Sequence, residues 1–315
     1  MKDIQREDIQ IFIRHSDLTE KGVEQALKQS IYNDKEAWLK FFQLFIISLG
    51  VGFTVSGIVF FIAYNWADLH KFVKIGLTEG VLIATTILVL LPQINDTIRH
   101  VILTGASVLV GVLFAVYGQI YQTGANAYDF FLGWTIFVTL WVLVSNFAPL
   151  WLLYLVLINT TFVLYSEQVA TQWTTVFNYT LLFFINTAVL IFAIYFGKKR
   201  IPNWFLNTVA LASTSCATMG IMNGILHSQH QTDLYILIFV TAIVFLLGIW
   251  HGLKTKSGFY LSVIPFSLII IVSVWLFKIS HEEMMLLFIS LFIIGSVTLT
   301  IKNLIYIQKK WANEQ

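Results

Sequence analysis

Long uninterrupted apolar runs decide what this chain can become. Ten of them follow one another: 41–64, 73–91, 101–120, 130–147, 150–165, 176–197, 204–226, 232–250, 258–279 and 283–307. About 20 apolar residues cross a bilayer as an α-helix. Lipid offers no partner to a free backbone N–H or C=O, so such runs form helices that satisfy their own backbone. The period-2 alternation of a membrane β-barrel is absent. Across the 315 residues, 57% are hydrophobic and 11% charged, against about 45–50% and about 25% in soluble domains. The expected fold is therefore an all-α, polytopic integral membrane bundle of about ten transmembrane helices, and the lipid bilayer is its first partner. Within 130–165, Ser145-Asn146 and Pro149 predict two short helices rather than one long one.

The few charges are unevenly placed. Residues 1–40 hold seven of the 19 Lys and Arg and eight of the 17 Asp and Glu. This stretch does not read as a signal peptide, which needs a short basic region followed by an apolar core. It reads instead as a short N-terminal helical hairpin. Ile9, Phe12 and Ile13 share one face, then Val23, Ala26, Leu27 and Ile31 share another, with Thr19 as N-cap between. A pair so small does not stand alone. It is either a lid on the membrane domain or a docking hairpin for a protein partner. Three regions are expected: 1–40 as the hairpin, 41–168 and 169–315 as two membrane modules of about five spans each.

Basic residues set the orientation. The termini and the loops on their side carry sixteen Lys and Arg, including Lys198-Lys199-Arg200; the opposite side carries Lys71, Lys74 and Lys278. Both termini are thus expected in the cytoplasm. A net charge of +2 gives no reason to expect nucleic acid. A single cysteine excludes an internal disulfide.

Small residues spaced four apart let helix backbones approach in lipid. Ser48, Gly52 and Ser56 form one such stripe, Ser107, Gly111 and Ala115 a second, and Gly220 with Gly224 a GxxxG. All three are expected to pack. Pro265 should kink the ninth span.

Polar residues concentrate in 118–129, which joins spans three and four. Gly124 suits a left-handed helix end. Asn126 suits an N-cap with Asp129 reaching back. Tyr121 and Tyr128 suit the headgroup level. Gln119 and Gln122 have no such explanation. The preceding outer loop adds Asn65, Trp66 and Asp68, and the second span adds Glu79, where a carboxylate is expensive and faces protein or water. The candidate ligand-binding set is therefore Asn65, Trp66, Asp68, Glu79, Gln119, Tyr121, Gln122, Asn126, Tyr128 and Asp129.

A weaker metal candidate runs along span seven: Cys216, Met219, Met222, His227 and His230. Soft sulfur and imidazole ligands suit copper, but steps of three rotate around a helix and one ion does not touch them all. No metal and no cofactor are expected. The chain has no Walker loop, no HExxH and no GxSxG, and no nucleophile–base pair. An enzyme is accordingly the third reading.

Three strings are familiar: Gly57-Ile58-Val59-Phe60-Phe61-Ile62-Ala63-Tyr64-Asn65-Trp66, then Gly118-Gln119-Ile120-Tyr121-Gln122-Thr123-Gly124-Ala125 through Phe130-Phe131-Leu132-Gly133-Trp134, then Ala148-Pro149-Leu150-Trp151. Over roughly residues 10–165 the chain resembles the family catalogued as domain of unknown function 2157. The resemblance implies a bacterial inner-membrane protein without an established activity, opening on a short helical hairpin like the one at Leu18-Thr19-Glu20. Glu79 has no match in the family pattern. Asn65-Trp66 and Asn203-Trp204 also raise an inverted repeat of five plus five spans.

The function expected from these features is binding or transport of a small polar or lipid-linked ligand through an outward-facing polar pocket. The alternative is an assembly or sensory partner that docks another protein through the hairpin.

Overall fold

The computed structural model describes residues 35–64, 69–121, 124, 126–197, 201–227, 231–279 and 283–313. The expected hairpin falls on residues outside these, as do Asn65, Trp66, Asp68, Gln122, His230 and the Lys198–Arg200 cluster. The described chain is helical, with ten helices long and apolar enough to cross a membrane. They are α1 (Lys35–Tyr64), α2 (Lys71–Leu90), α3 (Asp96–Tyr121), α4 (Ala127–Ser145), α5 (Ala148–Gln168), α6 (Thr175–Phe196), α7 (Asn203–Leu226), α8 (Gln231–Lys254), α9 (Gly258–Ile279) and α10 (Glu283–Asn313). Every expected span is present. The split between α4 and α5 falls where the polar break predicts it. Asn146 is left-handed at φ 47°, and Pro149 lies in the first turn of α5, where its missing N–H costs nothing. Helix α9 continues through Pro265.

The helices divide into two compact units, meeting in sequence at Tyr121–Gln122. In the first, α1 and α2 both pack on α3. Ile75 of α2 and Val116 of α3 are buried, with Ile58, Val112 and Ile120 packed around them. The contact face of α1 differs from the expected one. A Cβ on Gly105 of α3 would lie 2.5 Å from Val51 of α1, whereas one on Gly52 would meet nothing within 4 Å. Ser48, Gly52 and Ser56 are all exposed. Branched Val51 and Val55 fill the gap that α3 leaves at Gly105, so the small residue at this crossing is supplied by α3.

In the second unit α7 is central, packed by α5, α6, α8 and α9. Here the GxxxG does pack. A Cβ on Gly220 would lie 2.7 Å from both Tyr179 of α6 and Leu237 of α8; one on Gly224 would lie 2.7 Å from Leu234 and 3.2 Å from Val176. Phe183, Ala217, Ile221 and Leu237 close the core around these glycines. Lipid is as apolar as these side chains, so close van der Waals contact holds them rather than exclusion from water.

A series of side-chain hydrogen bonds runs across the same unit. Thr135 of α4 meets Thr161 of α5 at 3.3 Å, and Thr139 meets Tyr154 at 3.0 Å. Asn159 of α5 and Asn186 of α6 exchange amide bonds. Thr187 of α6 meets Ser213 of α7 at 2.7 Å, and Thr218 of α7 meets Ser267 of α9 at 2.6 Å. Within hydrocarbon each such pair is a specific link between two helices.

Candidate functional site

Glu79 lies eight residues into α2, about 12 Å along its axis from Lys71. It is half-buried. Its carboxylate accepts a hydrogen bond from the Tyr117 hydroxyl of α3 at 3.0 Å. Tyr117 in turn stacks on Tyr121 one turn later, with ring centroids 5.7 Å apart and planes 19° from parallel. The spacing of four residues puts both tyrosines on one face of α3. Gln119, exposed, projects from the opposite side of that helix, two residues and therefore about 200° from Tyr117. The first unit thus brings Glu79 together with Tyr117, and through it with Tyr121, but not with Gln119. Tyr117 is absent from the residues that the sequence singles out. An aromatic beside a glycine in an apolar run reads as an interfacial ring, and its hydroxyl has a carboxylate partner only after α2 and α3 pair.

The second unit holds the other candidates. Gly124 has φ +64°, the left-handed geometry expected there. Asn126 has the extended backbone of an N-cap, and Asp129 accepts from the Asn126 backbone N–H at 3.2 Å. Asp129 is therefore engaged in starting α4, which balances the positive end of the helix. The Tyr128 backbone N–H donates to the Gln168 side chain at 3.1 Å, which ties the start of α4 to the end of α5. The Tyr128 ring meets Tyr165 edge-on at 5.4 Å, and Tyr165 meets Trp173 at 5.9 Å. Next to them, the Thr174 hydroxyl accepts from the Phe177 N–H at 3.0 Å and donates to Asp233 of α8 at 2.7 Å. Gln168, Thr174 and Asp233 are additions that sequence spacing does not reveal, because their partners lie 40 to 59 residues away.

Along α7, Cys216 is half-buried and packs against the core, while Met219 is 55% exposed. They point to different surroundings. Met222 is half-buried. His227 places Nδ1 3.3 Å from the Asn223 carbonyl. Among the described residues no three His, Cys, Asp or Glu gather as a metal site would need.

No curated protein and no solved structure matches the chain. One family model does, that of the predicted membrane protein family DUF2157, and it covers residues 15–151. That stretch holds the strings on which the resemblance rests, including Asn65-Trp66, the Gly118–Trp134 segment and Pro149-Leu150-Trp151. Over residues 15–151, less than half of its length, the chain is thus similar to DUF2157, a family of predicted membrane proteins.

Proposed function

We propose that the chain binds or transports a small polar or lipid-linked ligand at an outward-facing site built around Glu79. The observation that carries this reading is the Glu79–Tyr117 pair. A carboxylate placed about two helical turns inside a span is costly, and intramembrane ionisable residues with a named partner mark ligand and ion pathways. Tyr117 holds the carboxylate in one position while leaving its second oxygen for a ligand or proton. Tyr121, stacked on Tyr117 in the same unit, is proposed as a further contact. The proposal places the protein in the bacterial inner membrane with both termini in the cytoplasm, following the sixteen-to-three distribution of basic residues.

The test is a thermal-shift screen of purified protein against a panel of small polar solutes and lipid-linked sugars. It is repeated with Glu79→Gln. Stabilisation of the wild type that disappears in Glu79→Gln is the expected result. Equal stabilisation of both sinks the reading.

A further inference from the structure

We infer that the ligand of the Glu79 site is an organic ammonium, either a free amine or the ammonium of a zwitterionic lipid headgroup. The inference rests on the proposed role of Glu79 and names the chemistry that its surroundings select. Among the described residues the carboxylate has one hydrogen-bond partner, the neutral Tyr117 hydroxyl, which reaches Oε1 at 3.0 Å, and no ion pair. A charge set into a membrane span is costly until an opposite charge meets it. A neutral ligand leaves that cost in place. An anionic one, such as a sugar carried on a lipid phosphate, adds a like charge. A cation removes the cost, so charge orders the three classes.

Two aromatic rings stand beside the carboxylate. Tyr117 and Tyr121 stack one turn apart on α3, with centroids 5.7 Å apart and planes 19° from parallel. They stay 38% and 51% exposed. The face of an aromatic ring attracts a cation within about 6 Å, and aromatic surfaces receive quaternary ammonium ligands in this way.

The helix end adds the same sign. Tyr121 closes α3, and no basic residue stands in its last turn. The terminal carbonyls of a helix carry a partial negative charge that favours cations. Tyr117 lies about 6 Å further in. An ammonium moving along α3 from its end thus meets carbonyls, then ring faces, then the full negative charge of Glu79. The lysines of α2 do not occupy this position. Lys71 holds its ammonium 5.3 Å from the centre of the Phe72 ring. Lys74 lies five residues before Glu79, about 140° around the helix from it.

The experiment is thermal unfolding of the full chain in a non-ionic detergent. It is titrated separately with choline, with ethanolamine, with dimethylbutanol as the uncharged carbon isostere of choline, and with sodium chloride at matched ionic strength. Phosphatidylethanolamine and phosphatidylglycerol of identical chains form the lipid arm. Choline, ethanolamine or phosphatidylethanolamine is expected to raise the melting temperature saturably, while dimethylbutanol, sodium chloride and phosphatidylglycerol leave it unchanged. A response to the free amines identifies a soluble ligand, and a response to phosphatidylethanolamine alone identifies a headgroup. Glu79→Gln should weaken the apparent affinity about tenfold, and Tyr121→Leu about threefold. The second variant decides the matter should Glu79→Gln fail to fold. Equal stabilisation by dimethylbutanol, sodium chloride or phosphatidylglycerol overturns the inference, as does unchanged affinity in Tyr121→Leu. A solute of another class that stabilises wild type but not Glu79→Gln overturns the ammonium assignment and leaves the Glu79 site standing. Stabilisation that is the same in wild type and Glu79→Gln for every solute, or absent for all of them, sinks both.

Discussion

Asn159 of α5 and Asn186 of α6 hold each other by two reciprocal amide bonds, at 3.1 and 2.9 Å. Each amide also donates to the carbonyl four residues before it in its own helix, Leu155 and Leu182. Asn186 is 1% exposed. Two primary amides are thus satisfied in the interior of a membrane protein, and neither is satisfied alone. Asn186→Leu is expected to lower stability by about 1–2 kcal/mol, because it strands the Asn159 amide in an apolar setting. The double replacement by Leu should cost less than the sum of the two single ones. A double-mutant cycle of unfolding in detergent or bicelles measures this directly, and strict additivity would show that the pair is not coupled.

The two glycine stripes should respond oppositely to a methyl group. Gly220→Ala pushes a Cβ to 2.7 Å from the Tyr179 Cβ, which backbone-anchored atoms do not yield easily. A loss of about 1–3 kcal/mol is expected. Gly52→Ala meets nothing within 4 Å and should stay within about 0.5 kcal/mol of wild type. The same unfolding assay compares them. Comparable losses at the two positions would mean that the α1 stripe packs against something after all.

Thr174 performs two tasks with one hydroxyl, capping α6 and bonding Asp233 of α8. Thr174→Val keeps the shape and removes both, so about 1–2 kcal/mol of stability should go. Thr174→Ser should recover most of it. Thermal melting of the three proteins side by side gives the answer.

Thr241 presents the reverse situation. Its Oγ1 is buried without a hydrogen-bond partner among the described residues, whereas Thr135, Thr139, Thr180 and Thr218 each donate to the carbonyl four residues earlier. Removing an unpaired hydroxyl leaves nothing stranded. Thr241→Val is therefore expected to be neutral or stabilising by up to about 1 kcal/mol, and a fall in the melting temperature would disprove that account.

Glu79→Gln retains an acceptor oxygen for Tyr117 and should melt like wild type while losing any ligand-induced shift. Tyr117→Phe frees the carboxylate from the position that the 3.0 Å bond gives it, so its ligand response should weaken without vanishing. A Glu79→Gln protein that responds fully to a ligand places the site elsewhere.

What the sequence reveals and what it conceals divide along physical lines. The ten spans are legible because helix length and lipid thickness leave no other solution for twenty apolar residues. The α4–α5 break at Asn146 and Pro149, the left-handed Gly124 and the Asn126–Asp129 start of α4 are legible because each depends on neighbours within four residues. The Asn159–Asn186 pair is not, since a lone Asn in an apolar run looks the same whether it faces a partner 27 residues away or solvent. The α1 stripe misleads for a related reason. Small residues permit close approach, but which helix supplies them depends on the partner, and Gly105 of α3 serves at that crossing. At the candidate site, Glu79 stands out by its charge alone, while Tyr117 becomes visible only through the 38-residue separation that the α2–α3 pairing closes.

The order of the interhelical bonds in the second unit carries a consequence for biogenesis. Thr135–Thr161, Asn159–Asn186 and Thr187–Ser213 each join a helix to the next one synthesised, at separations of 26 or 27 residues. As each span leaves the insertion machinery, its polar partner is already waiting in the span before it. The growing bundle can lock one joint at a time, as chains that form structure N-terminus first do. Thr218–Ser267 breaks the rhythm, at a separation of 49. It skips α8 and closes only when α9 arrives, so until then the Thr218 side of α7 lacks its permanent neighbour. A nascent chain halted between α8 and α9 would expose that face to whatever the membrane offers.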